Sequence, residues 1–83
     1  MPTVAVVDGI RIEFFFHEHP PPHFHAISGG ERATLDIEDG SVLKGNLAMN
    51  KLRVVQERAG LRKPALLEAW DKCRKHERPG KIR

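Results

Sequence analysis

The side chains of this chain change period once, near residue 47, and that change fixes the order of its elements. Before it, apolar residues recur every second position, the spacing of a strand with one buried face. Thr3–Val7 is a short β-branched run, and Asp8-Gly9 is a dipeptide that closes two-residue hairpins. Ile10–Phe16 alternates, with Ile10, Ile12, Phe14 and Phe16 on one side and Arg11, Glu13 and Phe15 on the other. Pro20-Pro21-Pro22 stops that strand, because proline brings no N–H to a ladder. His23–Ser28 resumes extended structure, Gly29-Gly30 turns, and Glu31–Glu38 points Ala33, Leu35 and Ile37 inward. Asp39-Gly40 turns again, before an optional short strand over Ser41–Lys44.

From Leu47 the spacing is helical. Met49, Leu52, Val55 and Ala59 form one stripe, Val54 widens it, Asn46 or Asn50 is the expected cap, and Gly60 the expected end. Pro64 suits the first turn of a second helix, whose apolar side carries Leu66, Leu67, Trp70 and Cys73. Glu77–Arg83 reads as a basic, frayed tail. The expected fold is therefore α+β: a small antiparallel β-meander of three to four strands, followed by two α-helices packed on the sheet. One domain spans residues 1–83, β-rich over 1–45, helical over 46–77, with a basic tail at 78–83.

With 83 residues, such a domain buries only about 60% of its unfolded surface, so a partner, a second copy or a metal would add to a thin core. No apolar run approaches the ~20 residues of a membrane helix. The opening Met1-Pro2-Thr3-Val4 lacks the features of a signal peptide, and the single Cys73 has no partner for a disulfide; both point to the cytoplasm.

Charge is divided unevenly. Residues 1–40 hold two basic and seven acidic side chains, a net −5, while residues 41–83 hold twelve basic and four acidic, a net +8. On the first helix Lys51, Arg58 and Arg62 recur on one side, away from Leu52 and Val55. With Lys63, Lys72 and Lys75 they form the candidate surface for nucleic acid or a protein partner. A solvated helix face, or attraction between the two halves, accounts for the same charges, and no helix-turn-helix, zinc-finger or aromatic RNA-binding pattern accompanies them. Trp70 is expected as a core anchor and Cys73 as a buried, inert thiol.

Four of the five histidines lie in His17-Glu18-His19-Pro20-Pro21-Pro22-His23-Phe24-His25. On a strand, each His-x-His pair places both rings on one face. A hairpin through the prolines, with a cis bond to help the reversal, would set His19 against His23 and His17 against His25. In that register Glu18 points away and is a poor ligand, whereas Glu13 can orient an imidazole. Two chemistries follow. His17, His19, His23 and His25 suit a divalent transition metal, zinc first. Alternatively His19, His23 and His25 support metal-independent acid–base cleavage of RNA. A third reading has the rings only packing at an interface. Asp36 and Glu38, on the outer side of a later strand, could assist if that strand is a neighbour.

Glu18-His19-Pro20-Pro21-Pro22-His23-Phe24-His25 resembles the (Asp/Glu)-His-Asn-Pro-Pro-His-(Phe/Val)-His signature of a bacterial family known as domain of unknown function 4160. The resemblance covers nearly the whole chain. Met1-Pro2-Thr3-Val4 is similar to the family's start, and Ala33…Asp36-Ile37-Glu38…Leu43-Lys44-Gly45-Asn46-Leu47 to its middle block. Leu52-Arg53-Val54-Val55 and Leu66-Leu67-Glu68-Ala69-Trp70 resemble its two helices. The resemblance makes His19, Pro21, Pro22, His23 and His25 the recurrent positions, whereas His17 and Pro20 depart from the pattern. It implies no activity. It does imply a setting, beside a second short protein in pairs of toxin–antitoxin type. The expected function is thus a partner-dependent module of that type, with a small cognate protein or a second copy as partner, nucleic acid as a further contact, and a histidine cluster that binds metal.

Overall fold

The computed structural model describes residues 3–16, 18–80 and 82. Five strands run in chain order: β1 (Thr3–Val7), β2 (Ile10–Glu13), β3 (His23–Ser28), β4 (Glu31–Asp36) and β5 (Val42–Asn46). They form one antiparallel sheet in the order β1-β2-β3-β4-β5, followed by helices α1 (Met49–Leu61) and α2 (Lys63–Arg74). The class is α+β as expected, but the meander has five strands instead of three to four. The last, expected only as an optional short strand over Ser41–Lys44, spans Val42–Asn46; every one of its residues is exposed and no alternation marks it. It joins β4 through a bulge between Thr34 and Leu35, with Gly45 at φ +80° against the Arg32 carbonyl.

Turn chemistry accounts for the connections. Asp8 and Gly9 both have positive φ, as a two-residue hairpin turn with right-handed strand twist requires. The Asp39 carboxylate accepts from the Ser41 N–H at 2.9 Å, and that of Asp36 from the Glu38 N–H at 2.7 Å, closing the β4–β5 turn. The alternation of β2, β3 and β4 sends Ile10, Ile12, Phe24, Ala26, Ala33 and Leu35 to one face. There they meet Val55 and Ala59 of α1 and Leu66, Ala69, Trp70 and Cys73 of α2 in a single core. Each large side chain buried here contributes about 1.5–3 kcal/mol of apolar transfer free energy.

Several boundaries differ from expectation. Ala48, not an asparagine, precedes α1; its N–H donates to Glu31 Oε1 at 3.3 Å, so a strand carboxylate serves the helix start. Gly60 stays helical, and only Arg62 separates the helices. Strand β2 stops at Glu13, and Phe16 leaves the core: it is 39% exposed, its ring 6.5 Å from that of His76. The tail is not frayed at its described end, because Ile82 packs against the core and its N–H donates to the Val4 carbonyl at 2.6 Å. None of the described helices is long and apolar enough to cross a membrane.

Candidate metal centre

Strand β3 opens on His23 directly after the prolines, so its alternation turns His23 and His25 to the face opposite Phe24 and Ala26. Register sets His25 against Glu13 on β2 and against Thr34 on β4. Since β2 ends at Glu13, residues 14–16 and 18–22 lie outside the strands, with a cis bond between Pro20 and Pro21. The prolines lack N–H groups but their carbonyls accept hydrogen bonds: Pro22 from the Ile37 N–H at 3.0 Å, Pro21 from His23 Nδ1 at 2.7 Å. The loop brings Glu18 back over β3.

The Glu18 carboxylate bridges the two imidazoles, Oε1 to His25 Nε2 at 2.7 Å and Oε2 to His23 Nε2 at 3.3 Å. A carbonyl only accepts, so the Pro21 contact assigns a proton to His23 Nδ1. In neutral His23, Nε2 then presents a lone pair to a carboxylate oxygen. Two lone pairs at that distance repel unless a proton or a cation lies between them. His25 is satisfied differently. Its Nε2–H donates to Glu18, and its Nδ1 accepts from Thr34 Oγ1 at 3.2 Å. A threonine hydroxyl accepts as readily as it donates, so His25 can move its proton to Nδ1 and free Nε2 for a metal.

Packing fixes both rings. Phe15 stacks on His25 with centroids 4.1 Å apart, His23 lies 4.8 Å from Trp70 of α2, and His23 is 8% exposed. Trp70 is thus the expected core anchor, and it also supports the site. Burial acts to raise the Glu18 pKa, but the hydrogen bond from His25 and the positive charge the two imidazoles carry when protonated outweigh it and hold the carboxyl below its ordinary value. Burial alone pushes the Cys73 thiol up, which agrees with an inert side chain.

One nitrogen from each histidine and one oxygen of Glu18 lie within 4.8 Å of one another. Two imidazoles and a carboxylate match the donors of a catalytic-type zinc site with one open position. A tetrahedral zinc ion would draw such donors to about 3.3 Å, the present His23–Glu18 separation. The Pro21 carbonyl and the Thr34 hydroxyl already hold the two Nδ1 atoms, as partners of metal-bound histidines do.

The expected four-histidine row is therefore replaced. His23 and His25 come together, His19 is exposed and outside the group, and the position expected for His17 lies outside the described residues. Glu18, expected to point away, is the residue that joins the two rings. Glu13 does not orient a ring but accepts from Thr3 Oγ1 at 3.2 Å and pairs with Arg11 at 3.3 Å. The error has one cause: alternation was extended through residues that leave the strand. The spacing of Glu18 from His23 carried no signal, because a loop sets it. Asp36 stands opposite His23 in register, its carboxylate engaged by the Glu38 N–H, while Glu38 pairs with Lys63 at 2.8 Å.

The basic residues singled out in the helices divide. Lys51 pairs with Glu31 at 3.7 Å, Lys72 with Glu68 and Lys75 with Asp71 at 3.1 Å each. Lys51–Glu31, together with the Lys63–Glu38 pair, joins the acidic half to the basic half. Arg58 and Arg62 border an apolar cavity of about 70 Å³ between α1, α2 and β1.

No curated protein and no solved structure matches the chain. Residues 9–71, which include both strands and the loop of the centre and both helical motifs, match the family described as a domain of unknown function, number 4160. That span is most of the chain, and with the Glu18–His25 segment and the two helices in place the protein belongs to this family.

Proposed function

We propose that this chain is a partner-dependent module of toxin–antitoxin type whose Glu18, His23 and His25 hold a divalent transition metal, zinc first. One observation carries the metal reading: His23 Nε2 faces the Glu18 carboxylate at 3.3 Å while its Nδ1 proton is spent on Pro21. A divalent ion would resolve that opposition and take His25, held by Thr34, as its second imidazole. Acid–base cleavage of RNA is less well supplied. It needs imidazole nitrogens turned to substrate, but both nitrogens of His25 and Nδ1 of His23 are engaged. The partner reading draws on the family's gene pairs and on the helix surface around Lys51, Arg58, Arg62, Lys63, Lys72 and Lys75.

Thermal unfolding of protein purified without a histidine tag tests the centre. Zinc at about 100 times its dissociation constant adds about 2.7 kcal/mol by mass action. For a domain of this size that is a rise in Tm of roughly 10–20 °C. The rise should disappear in His23→Ala and fall in Glu18→Gln, while His19→Ala keeps it. An unchanged Tm with zinc at about pH 7.5 overturns the metal reading. Co-purification with the product of the neighbouring gene tests the partner. Association that survives loss of His23 and His25 would assign it to the helix surface.

A further inference from the structure

The helices cover one face of the sheet, and the centre lies at one end of the other, with Trp70 of α2 against His23 there. Register maps that open face row by row. One row runs Glu13, His25, Thr34, Lys44; the next runs Val6, Arg11, Ile27, Arg32, Asn46. Lys44 therefore stands beside Thr34, which holds His25, and Arg32 lies two residues from Thr34 on the same side of β4. With neighbouring strands about 4.8 Å apart and a rise of about 3.4 Å per residue, both side chains can reach a ligand over Thr34.

On this face their charge state sets them apart from Arg11, although exposed arginines of the helices and tail (Arg53, Arg58, Arg74, Arg78) are likewise without a carboxylate partner among the described residues. Arg11, in the same row, is paired with Glu13, and Lys51, Lys63, Lys72 and Lys75 on the helices all have carboxylate partners. Arg32 and Lys44 are exposed, and among the described residues neither pairs with a carboxylate. Two exposed cations without counter-ions, next to a centre with an open ligand position, are complementary to one tetrahedral anion.

We infer that the open sheet face beside the centre binds a phosphoryl group, held by Arg32 and Lys44 with an oxygen directed at the centre. The inference deepens the metal reading and rests on it only for that last contact. Arginine supplies a planar pair of donors and lysine a point charge, a combination suited to the oxygens of a phosphate ester. The ester belongs to a free nucleotide or to a single-stranded RNA, and the two are separable by experiment.

Zinc-loaded protein is titrated with 5′-adenylate and with a short single-stranded RNA, by calorimetry at fixed ionic strength. Arg32→Gln/Lys44→Gln should weaken binding by about tenfold or more, since two charged hydrogen-bond donors are lost. Arg74→Gln/Arg78→Gln, which removes two exposed cations at the end of α2 and in the tail, should bind within about twofold of the unsubstituted chain. Saturation by adenylate with no tighter binding of RNA assigns the group to a nucleotide. Tighter RNA binding that falls steeply with salt assigns it to a strand. The inference is overturned if neither ligand binds, or if the Arg32/Lys44 variant binds as the unsubstituted chain does. Repeating the titrations without zinc separates the two readings. Phosphate binding that depends on Arg32 and Lys44 but is indifferent to zinc supports the cation site and removes the metal from it. A zinc-dependent rise in Tm with no phosphate binding does the reverse. Both substituted side chains are exposed, and equal urea midpoints would show that the variant is folded.

Discussion

Thr34 shows how much one hydroxyl can decide. It lies on β4, outside the histidine segment, yet it holds the ring to which the proposed metal would bind. Thr34→Ala should cost about 1 kcal/mol of stability, the worth of one hydrogen bond, and weaken zinc about 10–100-fold. Urea unfolding and a zinc titration read the two effects separately; equal zinc affinity would remove Thr34 from the site. Glu18 carries a different signature, in pH. Its carboxyl is held below its ordinary value of 4.5, so the ionised form is bound more favourably in the folded chain. The stability it contributes is present above about pH 4.5 and is lost as pH falls through the lower folded value. Metal-free Glu18→Gln should therefore unfold at lower urea than the unsubstituted chain at neutral pH, and the gap should close in acid. A gap that stays constant down to pH ~3 would show that the ionised carboxylate contributes nothing.

At the scale of elements, local chemistry was legible wherever it repeats within one element. Asp8-Gly9, Gly29-Gly30 and Asp39-Gly40 place the turns, and β1, β3 and both helices follow from period and proline position. What could not be read was set by contacts between elements. β5, legible only as an optional short strand over Ser41–Lys44, has no buried side and forms on the edge that β4 offers. Glu18 reaches the histidines because β2 ends at Glu13, a termination that Phe14-Phe15-Phe16 conceals by continuing the pattern. The histidine pairing therefore came out wrong although His23 and His25 were read on the correct face. Two glycines test this division. At Gly45, φ is +80° and a Cβ would stand 2.3 Å from the Arg32 carbonyl, so Gly45→Ala should cost roughly 1–3 kcal/mol and loosen the strand that carries Lys44. At Gly60 the backbone is helical and nothing lies within 4 Å, so Gly60→Ala should add roughly 0.5–1 kcal/mol. Urea midpoints moving in opposite directions would confirm both; a neutral Gly45→Ala would mean the β4–β5 bulge relaxes freely.

For the whole molecule, the question is what makes one cooperative unit out of an acidic sheet and a basic pair of helices. The ion pairs between them are exposed, and such pairs contribute only about 0–1 kcal/mol each. The shared core does more, since Trp70 and Cys73 of α2 and Val55 of α1 are packed with Phe24 and Leu35 of the sheet. The chain end adds a second tie. Ile82 crosses back to β1, an edge strand, where its N–H meets the Val4 carbonyl and its side chain borders the same cavity as Arg58 and Leu66. The tail thereby covers part of an edge that would otherwise present unpaired backbone groups. Ile82 is only partly buried, so Ile82→Ala should remove about 1 kcal/mol, a fall in Tm of roughly 4–8 °C. Because the side chain joins a core common to sheet and helices, the urea midpoint should drop with an unchanged slope. A lower slope would mean that the tail and β1 open separately from the rest, and an unchanged midpoint that Ile82 does not pack in solution. The zinc-dependent rise in Tm should persist in this variant, since β1 and the centre on β3 lie on different strands with β2 between them.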